Sequence, residues 1–495
     1  MSRRQCYGLL LAAAFALLLS AWVTSTHPWD APDEQAHYLR ALTLTQGHLL
    51  GRPAPQTVPS GDSGAAARAR WINHDMRGIV VSPAQTPPGI PCVTGYPIVG
   101  GSGCLEATWT GDYYPLAYVL PAAAIGFSSS ADSGLWLARA ASALVCLALL
   151  WLAIALTLDG AGWAVLGLLV AVTPAVFYVS SILNPSGLEV AAALAVIAGL
   201  SRLRRDPLGA PLWVWIGVAV SGATLVLTWQ MGPAFLAVDV LAFAALAGRQ
   251  TCRLLVKNRT RRVIGIGVTI AAALGAFLLY GTYAGVLHSQ IRISPIRVGL
   301  QSGWAELSPT LKSAVGTFGE FDVWLPRPIY VAWWLLVVAL VAFALWVGNP
   351  RERIVTLAVL VLSIAFPVVF YAWSYRLSGF GMQGRYVLPL LVLVPMVAGD
   401  IVEHHDGGPL PARWIVGGGA AIIAVMQLLA WRVNARTFAG VIQVPAYLEH
   451  GRWAPPLGWA PWIAAAICGT CALISAALLW AADRNDVVER RRHAG

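Results

Sequence analysis

Long apolar stretches recur along this chain, and short polar breaks separate them. About 20 consecutive apolar residues form a helix that crosses the hydrocarbon core of a bilayer. The pattern therefore predicts an all-α polytopic membrane protein with about twelve spans. We place the spans at 6–23, 134–157, 162–182, 186–203, 211–229, 232–248, 263–286, 328–348, 353–373, 385–401, 412–431 and 459–482.

Composition agrees with this class, because only 11% of the residues are charged and the mean hydropathy is +0.67. A soluble domain carries about 25% charged residues. The formal net charge of +10 does not indicate a nucleic-acid partner. Most basic residues stand in short clusters beside apolar runs, where they orient helices in a membrane.

The basic clusters also predict the topology. With an even number of spans, every cluster falls on the side of the N-terminal Arg3 and Arg4. We therefore expect both termini in the cytoplasm of a bacterium and the protein in its plasma (inner) membrane. The clusters contain Arg202, Arg204 and Arg205; Arg249, Arg253, Lys257, Arg259, Arg261 and Arg262; Arg351 and Arg353; and Arg484, Arg490, Arg491 and Arg492.

This topology divides the chain into six segments. They are a signal-anchor helix at 1–23, an extracytoplasmic loop with interfacial helices at 24–133, central spans at 134–286, a second outside loop at 287–327, C-terminal spans at 328–482 and a basic tail at 483–495.

The first outside loop contains one apolar stretch and two cysteines. The stretch at 113–127 is short and interrupted by proline, which favours an interfacial or re-entrant helix over a span. Cys92 and Cys104 are able to form a disulfide in an oxidising compartment. Whether they are bridged stays open.

A group of polar residues follows the first span, in the segment that runs from Trp29 to Arg40. If Asp30 caps a helix and Pro32 lies in its first turn, Asp33, His37 and Arg40 share one face and Glu34 lies beside them. Carboxylates beside an imidazole are suited to general-base catalysis on a hydroxyl. The helix dipole alone also favours Asp and Glu in a first turn, so both interpretations stand.

Other candidates lie at the predicted outer ends of spans. Asn184-Pro-Ser-Gly-Leu-Glu189 breaks two apolar runs, as a turn does, and places Glu189 one turn into the next span, where a carboxylate needs a cavity or a partner. Arginines at the outer ends of spans either extend to lipid headgroups or recognise a lipid phosphate. Arg139 and Arg385, the latter followed by Tyr386, have such positions, and Arg376 belongs to the same patch.

Two features point to other functions. Asp239 lies in the middle of a predicted span, which is the best argument for a transporter, although a neutral acid bonded to a neighbouring helix fits equally. The run Glu403-His-His-Asp406 has metal-ligand residue types but lies in a short loop, where solvated side chains are the default. No cofactor or metal is expected.

Four motifs, taken in order, resemble those of a known family. Pro32-Asp-Glu-x-x-His37 is similar to the opening signature of the DUF2142-type bacterial membrane proteins, which are similar to the GT-C glycosyltransferases. Tyr113-Tyr-Pro, Leu137-Ala-Arg139 and the later pair Asn184-Pro and Gln383-Gly-Arg385-Tyr resemble the remaining signatures. The likeness extends over essentially the whole chain. Ser186 departs from it, because the family has an acidic residue there.

The resemblance implies a GT-C-like bundle of about 12 transmembrane helices that transfers a sugar outside the cytoplasm. Its donor would be a polyprenyl-phosphate-linked sugar, and its acceptor a glycan, lipid or protein. In that reading Asp33 is the base, Glu34 and His37 support it, and Arg385, with Arg139, holds the lipid phosphate. Arg40, Asn184, Glu189, Arg376 and Tyr386 complete the expected substrate site.

Two alternatives remain. A transporter or flippase of lipid-linked sugars would use Asp239 and the arginines as a substrate path, although transporters place such groups near the midplane. A non-catalytic assembly protein is the other. The sugar, the acceptor and the oligomeric state stay open.

Overall fold

The computed structural model describes residues 3–53, 77–88, 104–158, 162–285, 295–378, 382–405, 412–440 and 451–493. In this part of the chain, nine helices are long and apolar enough to cross a membrane, which confirms a polytopic helical protein. They are α1 (Arg3–Val23), α4 (Ala131–Thr157), α7 (Pro185–Arg205), α9 (Gly232–Asn258), α10 (Thr260–Ala284), α13 (Arg327–Val347), α14 (Pro350–Ser378), α17 (Ala412–Ala439) and α18 (Ala460–His493).

Three predicted spans differ from a single long helix, so the total of twelve stays a prediction. The 162–182 span consists of α5 (Trp163–Ala171) and α6 (Pro174–Ser181), bent by 60°. Thr173 caps α6 and Pro174 cannot continue α5, which explains the break. The 211–229 span is the 17-residue α8 (Leu212–Thr228).

The third of these spans, 385–401, is divided more strongly. A 3-10 turn at Gly384–Tyr386 is followed by the short α15 (Leu388–Leu391) and then by α16 (Leu393–His404). Pro389 lies in the first turn of α15, where its missing N–H is tolerated. This division leaves Arg385 on a turn rather than at the start of a long helix.

Helix α7 is the most enclosed span, with nearly all its side chains buried between α4, α6, α8 and α9. The first turn of α7 lies beside the polar segment that follows α1, because Asn184 hydrogen-bonds back to that segment. By contrast, α10 leaves most of its length exposed and packs mainly on α8. An apolar helix exposed in this way is suited to lipid contact.

Two helices and a small sheet lie in the described part of the segment 24–133, the predicted first outside loop. They are α2 (Glu34–Thr45), α3 (Leu116–Ile125) and the antiparallel strands β1 (Arg52–Pro53), β2 (Arg77–Val81) and β3 (Cys104–Thr108). The 10 residues of α3 are too few to cross a bilayer. The sheet was not expected from the sequence. Cys92 lies outside the described residues, so the disulfide stays a prediction.

The predicted second outside loop supports the turn that carries Arg385. It contains α11 (Ile296–Ala305), α12 (Leu307–Gly316) and a hairpin of β4 (Thr317–Phe318) and β5 (Val323–Trp324). A Cβ on Gly384 would lie 2.4 Å from the amide nitrogen of Ala314, and Gly384 N–H donates to the Ser313 hydroxyl. Glycine is therefore required for α12 to hold the turn this closely.

Charged side chains at the other end of α7 form a buried network. Arg204 pairs with Glu352 of α14 and, at 2.7 Å, with Asp400 of α16. His405 is 2.7 Å from the same Glu352, and Glu403 accepts hydrogen bonds from the first N–H groups of α5. The expectation of a solvated loop at 403–406 is therefore wrong for Glu403, because its carboxylate caps a helix. Asp406 lies outside the described residues.

Candidate active site

Asp33 occupies the turn that precedes α2. The sequence placed the cap at Asp30 and Pro32 in the first turn, but α2 begins at Glu34 and Asp33 is its N-cap residue. Asp33 has φ 59°, the left-handed conformation that non-glycine residues rarely adopt. Its carboxylate makes no capping hydrogen bond and pairs with Arg385 instead. The local backbone thus directs this carboxylate away from its own helix.

Arg385 brings the second half of the chain to Asp33. One terminal nitrogen donates to Asp33 and, at 3.1 Å, to the Tyr386 hydroxyl, while the other lies 3.4 Å from the Pro32 carbonyl. The side chain is buried, yet its Nε–H has no hydrogen-bond partner among the described residues. An unpaired donor of a buried cation is costly unless a ligand uses it.

The surroundings of Arg385 combine an apolar recess with aromatic rings. Its guanidinium carbon lies 5.4 Å from the ring centroid of Phe321 and 5.1 Å from that of Tyr386, and Tyr386 in turn stacks on Trp229. Phe321 has φ 68° and forms the tip of the β4–β5 hairpin. The recess beside Arg385 is lined by Pro32, Ala175, Tyr178, Ile182, Ser313, Thr317 and Phe321, among others.

Electrostatics keep Asp33 ionised. Burial raises the pKa of Asp33, but the positive charge and hydrogen bond of Arg385 outweigh it and hold the pKa below its ordinary value. Burial lowers the pKa of Arg385, but Tyr386 and then Asp33 outweigh that effect and raise it above its ordinary value. A carboxylate that is ionised at neutral pH is able to accept a proton, as a general base must.

Glu34 stands next in the chain but has a different partner. Its two oxygens accept hydrogen bonds from Nε and Nη2 of Arg139 at 2.7 and 2.6 Å. They also accept from the backbone N–H groups of Trp29 and Leu183. Both side chains of the ion pair are fully buried. Glu34 therefore ties α2 to α4 and to the start of α7.

Arg139 has no donor left for a lipid phosphate. Besides Glu34, it donates to the carbonyls of Thr26 at 2.8 Å and His27 at 3.1 Å. Every nitrogen of its guanidinium is therefore occupied. The phosphate role expected for Arg139 does not fit these surroundings.

His37 is held as a neutral ring between two hydrogen-bond partners. Asn184 accepts from Ser186 N–H through its Oδ1, so its Nδ2 faces His37 Nε2 at 3.0 Å and donates to it. The proton of the neutral ring then lies on Nδ1, which donates to the Tyr118 hydroxyl at 2.8 Å. Burial, followed by smaller and opposing effects of Asp33 and Arg385, lowers the pKa of His37 to about 3.

The remaining predicted residues divide into three kinds. Glu189 is fully buried one turn into α7, and neither of its carboxylate oxygens has a hydrogen-bond partner. Arg40 is also fully buried and donates to the Tyr113 carbonyl and the Tyr280 hydroxyl. Arg376 lies in α14, but its side chain is outside the described part of the structure.

Some residues near Asp33 had no role in the sequence interpretation. Tyr113 and Tyr118 flank His37, with ring centroids 5.9 Å from it, and burial raises the pKa of both tyrosines well above the ordinary value. Only the Tyr113-Tyr-Pro resemblance indicated that segment. Phe321 and its neighbour Glu320 were not identified from the sequence, because a four-residue hairpin tip has no periodic pattern of apolar residues.

The rim of the site is acidic. Burial and the nearby carboxylates of Asp30, Asp33 and Asp322 raise the pKa of Glu320. No group of three or more His, Cys, Asp or Glu side chains within the described ranges has the arrangement of a metal site. The charged residues nearest to Arg385 therefore form one direct ion pair, with Asp33, and a more distant carboxylate rim.

A bundle of membrane-spanning helices with this ion pair at one end defines the class as a multi-pass membrane protein. Within that class, the chain belongs to the family described as "Predicted membrane protein (DUF2142)", whose model matches residues 15–394.

Among solved structures, the chain is similar to ArnT from Cupriavidus metallidurans, crystallised with undecaprenyl phosphate. The identity is 15% and the TM-score 0.41, over 95% of this chain and 76% of that one. The comparison with curated proteins finds no match.

Proposed function

We propose that this protein is a membrane glycosyltransferase that moves a sugar from a polyprenyl-phosphate donor to an extracytoplasmic acceptor. The acceptor is a glycan, a lipid or a protein of the cell envelope, and the membrane is the bacterial plasma membrane. The observation that carries the proposal is the Asp33–Arg385 pair. It joins an ionised carboxylate to a buried guanidinium that keeps one donor free.

The chemistry assigned to Asp33 is removal of one proton. The acceptor hydroxyl oxygen attacks the anomeric carbon of the sugar, and the bond between that carbon and the phosphate oxygen breaks. The hydroxyl proton passes to Asp33, and the polyprenyl phosphate leaves with the bonding electron pair. A general base of this kind contributes about 10²–10⁴-fold to a rate.

Arg385 stabilises the phosphate as it gains charge. Guanidinium donors match the geometry of phosphate oxygens, and a positioned cation is most effective where charge develops in a water-poor site. Tyr386, whose hydroxyl accepts from Arg385, orients the guanidinium. We also assign Arg376 to this phosphate patch on sequence position alone.

The neighbouring residues position Asp33 rather than react. Glu34, with Arg139, fixes the start of α2, and His37, with Asn184, holds the other side of the turn. Glu189 stays assigned to the substrate site on sequence position, and neither of its buried carboxylate oxygens has a hydrogen-bond partner among the described residues.

Transfer from a radiolabelled polyprenyl-phosphate sugar in proteoliposomes tests the proposal. Wild-type protein should transfer label to an envelope acceptor fraction, and Asp33→Asn should lose nearly all transfer. Asp30→Asn is the matched control, because Asp30 is a carboxylate of the same segment that pairs with His27 rather than with Arg385. Equal transfer by wild type and Asp33→Asn would remove Asp33 as the base.

One observation favours the transporter alternative. Asp239 is buried in α9, and its Oδ2 has no hydrogen-bond partner. A lipid-linked-sugar flippase would move labelled donor across the bilayer without breaking the glycosidic bond. Translocation that needs Asp239 but not Asp33, with no transfer by wild type, would replace our proposal with this one.

A further inference from the structure

Buried arginines are few in this protein, and most have a carboxylate partner. Four arginines in the described ranges are buried. Arg139 pairs with Glu34, Arg204 with Glu352 and Asp400, and Arg385 with Asp33. Arg40 has 0% of its surface exposed and forms no ion pair with any described carboxylate.

Among the described residues, the contacts of Arg40 leave one donor unused and include no carboxylate, although the buried Asp112 acts together with Arg40 on the pKa of Tyr118. Nε and Nη2 donate to the Tyr113 carbonyl at 3.0 and 2.7 Å, and Nη2 also donates to the Tyr280 hydroxyl at 3.0 Å. Nη1 has no partner. A carbonyl and a phenol supply dipoles, but a buried cation normally needs a counter-charge.

Arg40 lies close to the proposed phosphate site. It follows Asp33 by seven residues, which is about 10 Å along a helix and within the reach of two arginine side chains. Its guanidinium carbon lies 5.7 Å from the ring centroid of Tyr118, the tyrosine that receives the His37 hydrogen bond. Arg40 and Arg385 both act on the pKa of Tyr118, so both arginines lie near the His37–Tyr118 pair.

We propose that Arg40 is a second anion-binding residue of the site and that it receives a second phosphate group when substrate is bound. This rests on the proposed function, in which Arg385 binds the first phosphate. The second phosphate belongs either to a diphosphate-linked lipid donor or to a phosphate carried by the acceptor. Tyr280 covers Arg40 from α10, so the end of this loosely packed helix must move to admit the anion.

A purely structural role for Arg40 makes a different prediction. Tyr280 also donates to the Tyr113 carbonyl, at 3.1 Å, so Arg40 and Tyr280 together fasten α10 to the first outside loop. If fastening were the whole role, loss of Arg40 would lower thermal stability and leave the preference among phosphate ligands unchanged.

The test is a binding experiment on the full chain in lipid nanodiscs. Its probes are polyprenyl monophosphate, polyprenyl diphosphate and inorganic phosphate added to monophosphate-loaded protein. The variants are Arg40→Gln, Arg40→Lys, Arg385→Gln and Tyr280→Phe. The readout is the ratio of Kd values between probes, which does not depend on the fraction of protein that folds.

Wild type should bind the diphosphate at least about 10-fold more tightly than the monophosphate, or else bind inorganic phosphate saturably in the loaded state. Tighter binding of the diphosphate would assign the second phosphate to the donor. Saturable binding of inorganic phosphate would assign it to the acceptor. Arg40→Gln should abolish whichever preference is found, Arg40→Lys should keep part of it, and Tyr280→Phe should keep it while lowering thermal stability.

An unchanged ratio in Arg40→Gln, or no preference in wild type, would overturn the assignment of Arg40. If Arg40→Gln does not fold, a reduced preference in Arg40→Lys supports the assignment and an unchanged ratio overturns it. Arg385→Gln separates this proposal from the one on which it rests. If that variant binds the monophosphate as wild type does, the proposed function fails, whatever Kd ratios the Arg40 variants show.

Discussion

Asp33 and Glu34 are consecutive carboxylates, each paired with an arginine from a distant part of the chain, and the two pairs differ in two respects, exposure and the use of donors. In the Glu34–Arg139 pair, both side chains are fully buried and every guanidinium nitrogen has an acceptor. In the Asp33–Arg385 pair, 31% of the Asp33 side chain is exposed and Arg385 keeps one donor unpaired.

The difference separates a structural pair from a reactive one. A closed, fully hydrogen-bonded pair has nothing to offer a substrate, and breaking it leaves a buried charge alone. An open pair, with solvent on one side and a free donor on the other, is suited to accept a proton and bind an anion. The network around Arg204 also consists of buried ion pairs, so charge in the membrane domain does not by itself mark the site.

The largest effect is expected at Asp33. Asp33→Asn keeps the shape of the side chain but removes the proton acceptor, so transfer should fall by about 10²–10⁴-fold. The thermal midpoint should fall less than in Glu34→Gln, since the Asp33 side chain is partly exposed and solvent reaches this ion pair. Initial rates and thermal unfolding in detergent check both statements. A variant that loses stability but keeps its specific activity would make Asp33 a structural residue like its neighbour.

Glu34 should behave in the opposite way. Glu34→Gln leaves Arg139 buried without a counter-charge, which costs about 3–5 kcal/mol of stability. The protein that remains folded should transfer sugar at a rate much nearer to wild type than Asp33→Asn does. Unfolding by denaturant gives the first quantity, and active-site-normalised rates give the second. The double variant with Arg139→Gln should recover part of the loss, and no recovery would contradict the ion-pair explanation.

The pH profile of transfer probes the open pair. Burial raises the pKa of Asp33 and Arg385 brings it below its ordinary value, so wild type should lose activity only in strongly acidic buffer. In Arg385→Gln the effect of burial is unopposed, and the acidic limb of kcat/KM should move to higher pH. Arg385→Lys keeps the charge and should keep the limb near its wild-type position. Identical limbs in all three proteins would show that Asp33 is not the titrating group.

The sequence was sufficient to predict the class of protein, most of the spans and the place of Asp33 just after the first span. Apolar runs and helix-face spacing are local properties of a sequence. The sequence was not sufficient to predict which side chains pair with one another. Arg139 and Arg385 have the same position type in the sequence. Only the folded structure shows that Glu34 and the carbonyls of Thr26 and His27 use up the donors of Arg139. The cap of α2 was misplaced because a left-handed aspartate has no local signal.

The smallest predicted effect concerns His37, which joins the open pair to Asn184. In the folded protein the pKa of His37 is about 3, against about 6.5 for an exposed histidine. As the pH falls below 6.5, His37 binds a proton in the unfolded chain but not in the folded protein. His37 therefore reduces the free energy of unfolding by up to about 1.4 kcal/mol per pH unit in that range.

His37→Gln should have a shallower decline of the thermal midpoint between pH 6.5 and 4.5, whereas His48→Gln, at an exposed position, should follow wild type. A decline unchanged by His37→Gln would mean that His37 is protonated in the folded protein, and the neutral bridge between Tyr118 and Asn184 would have to be abandoned.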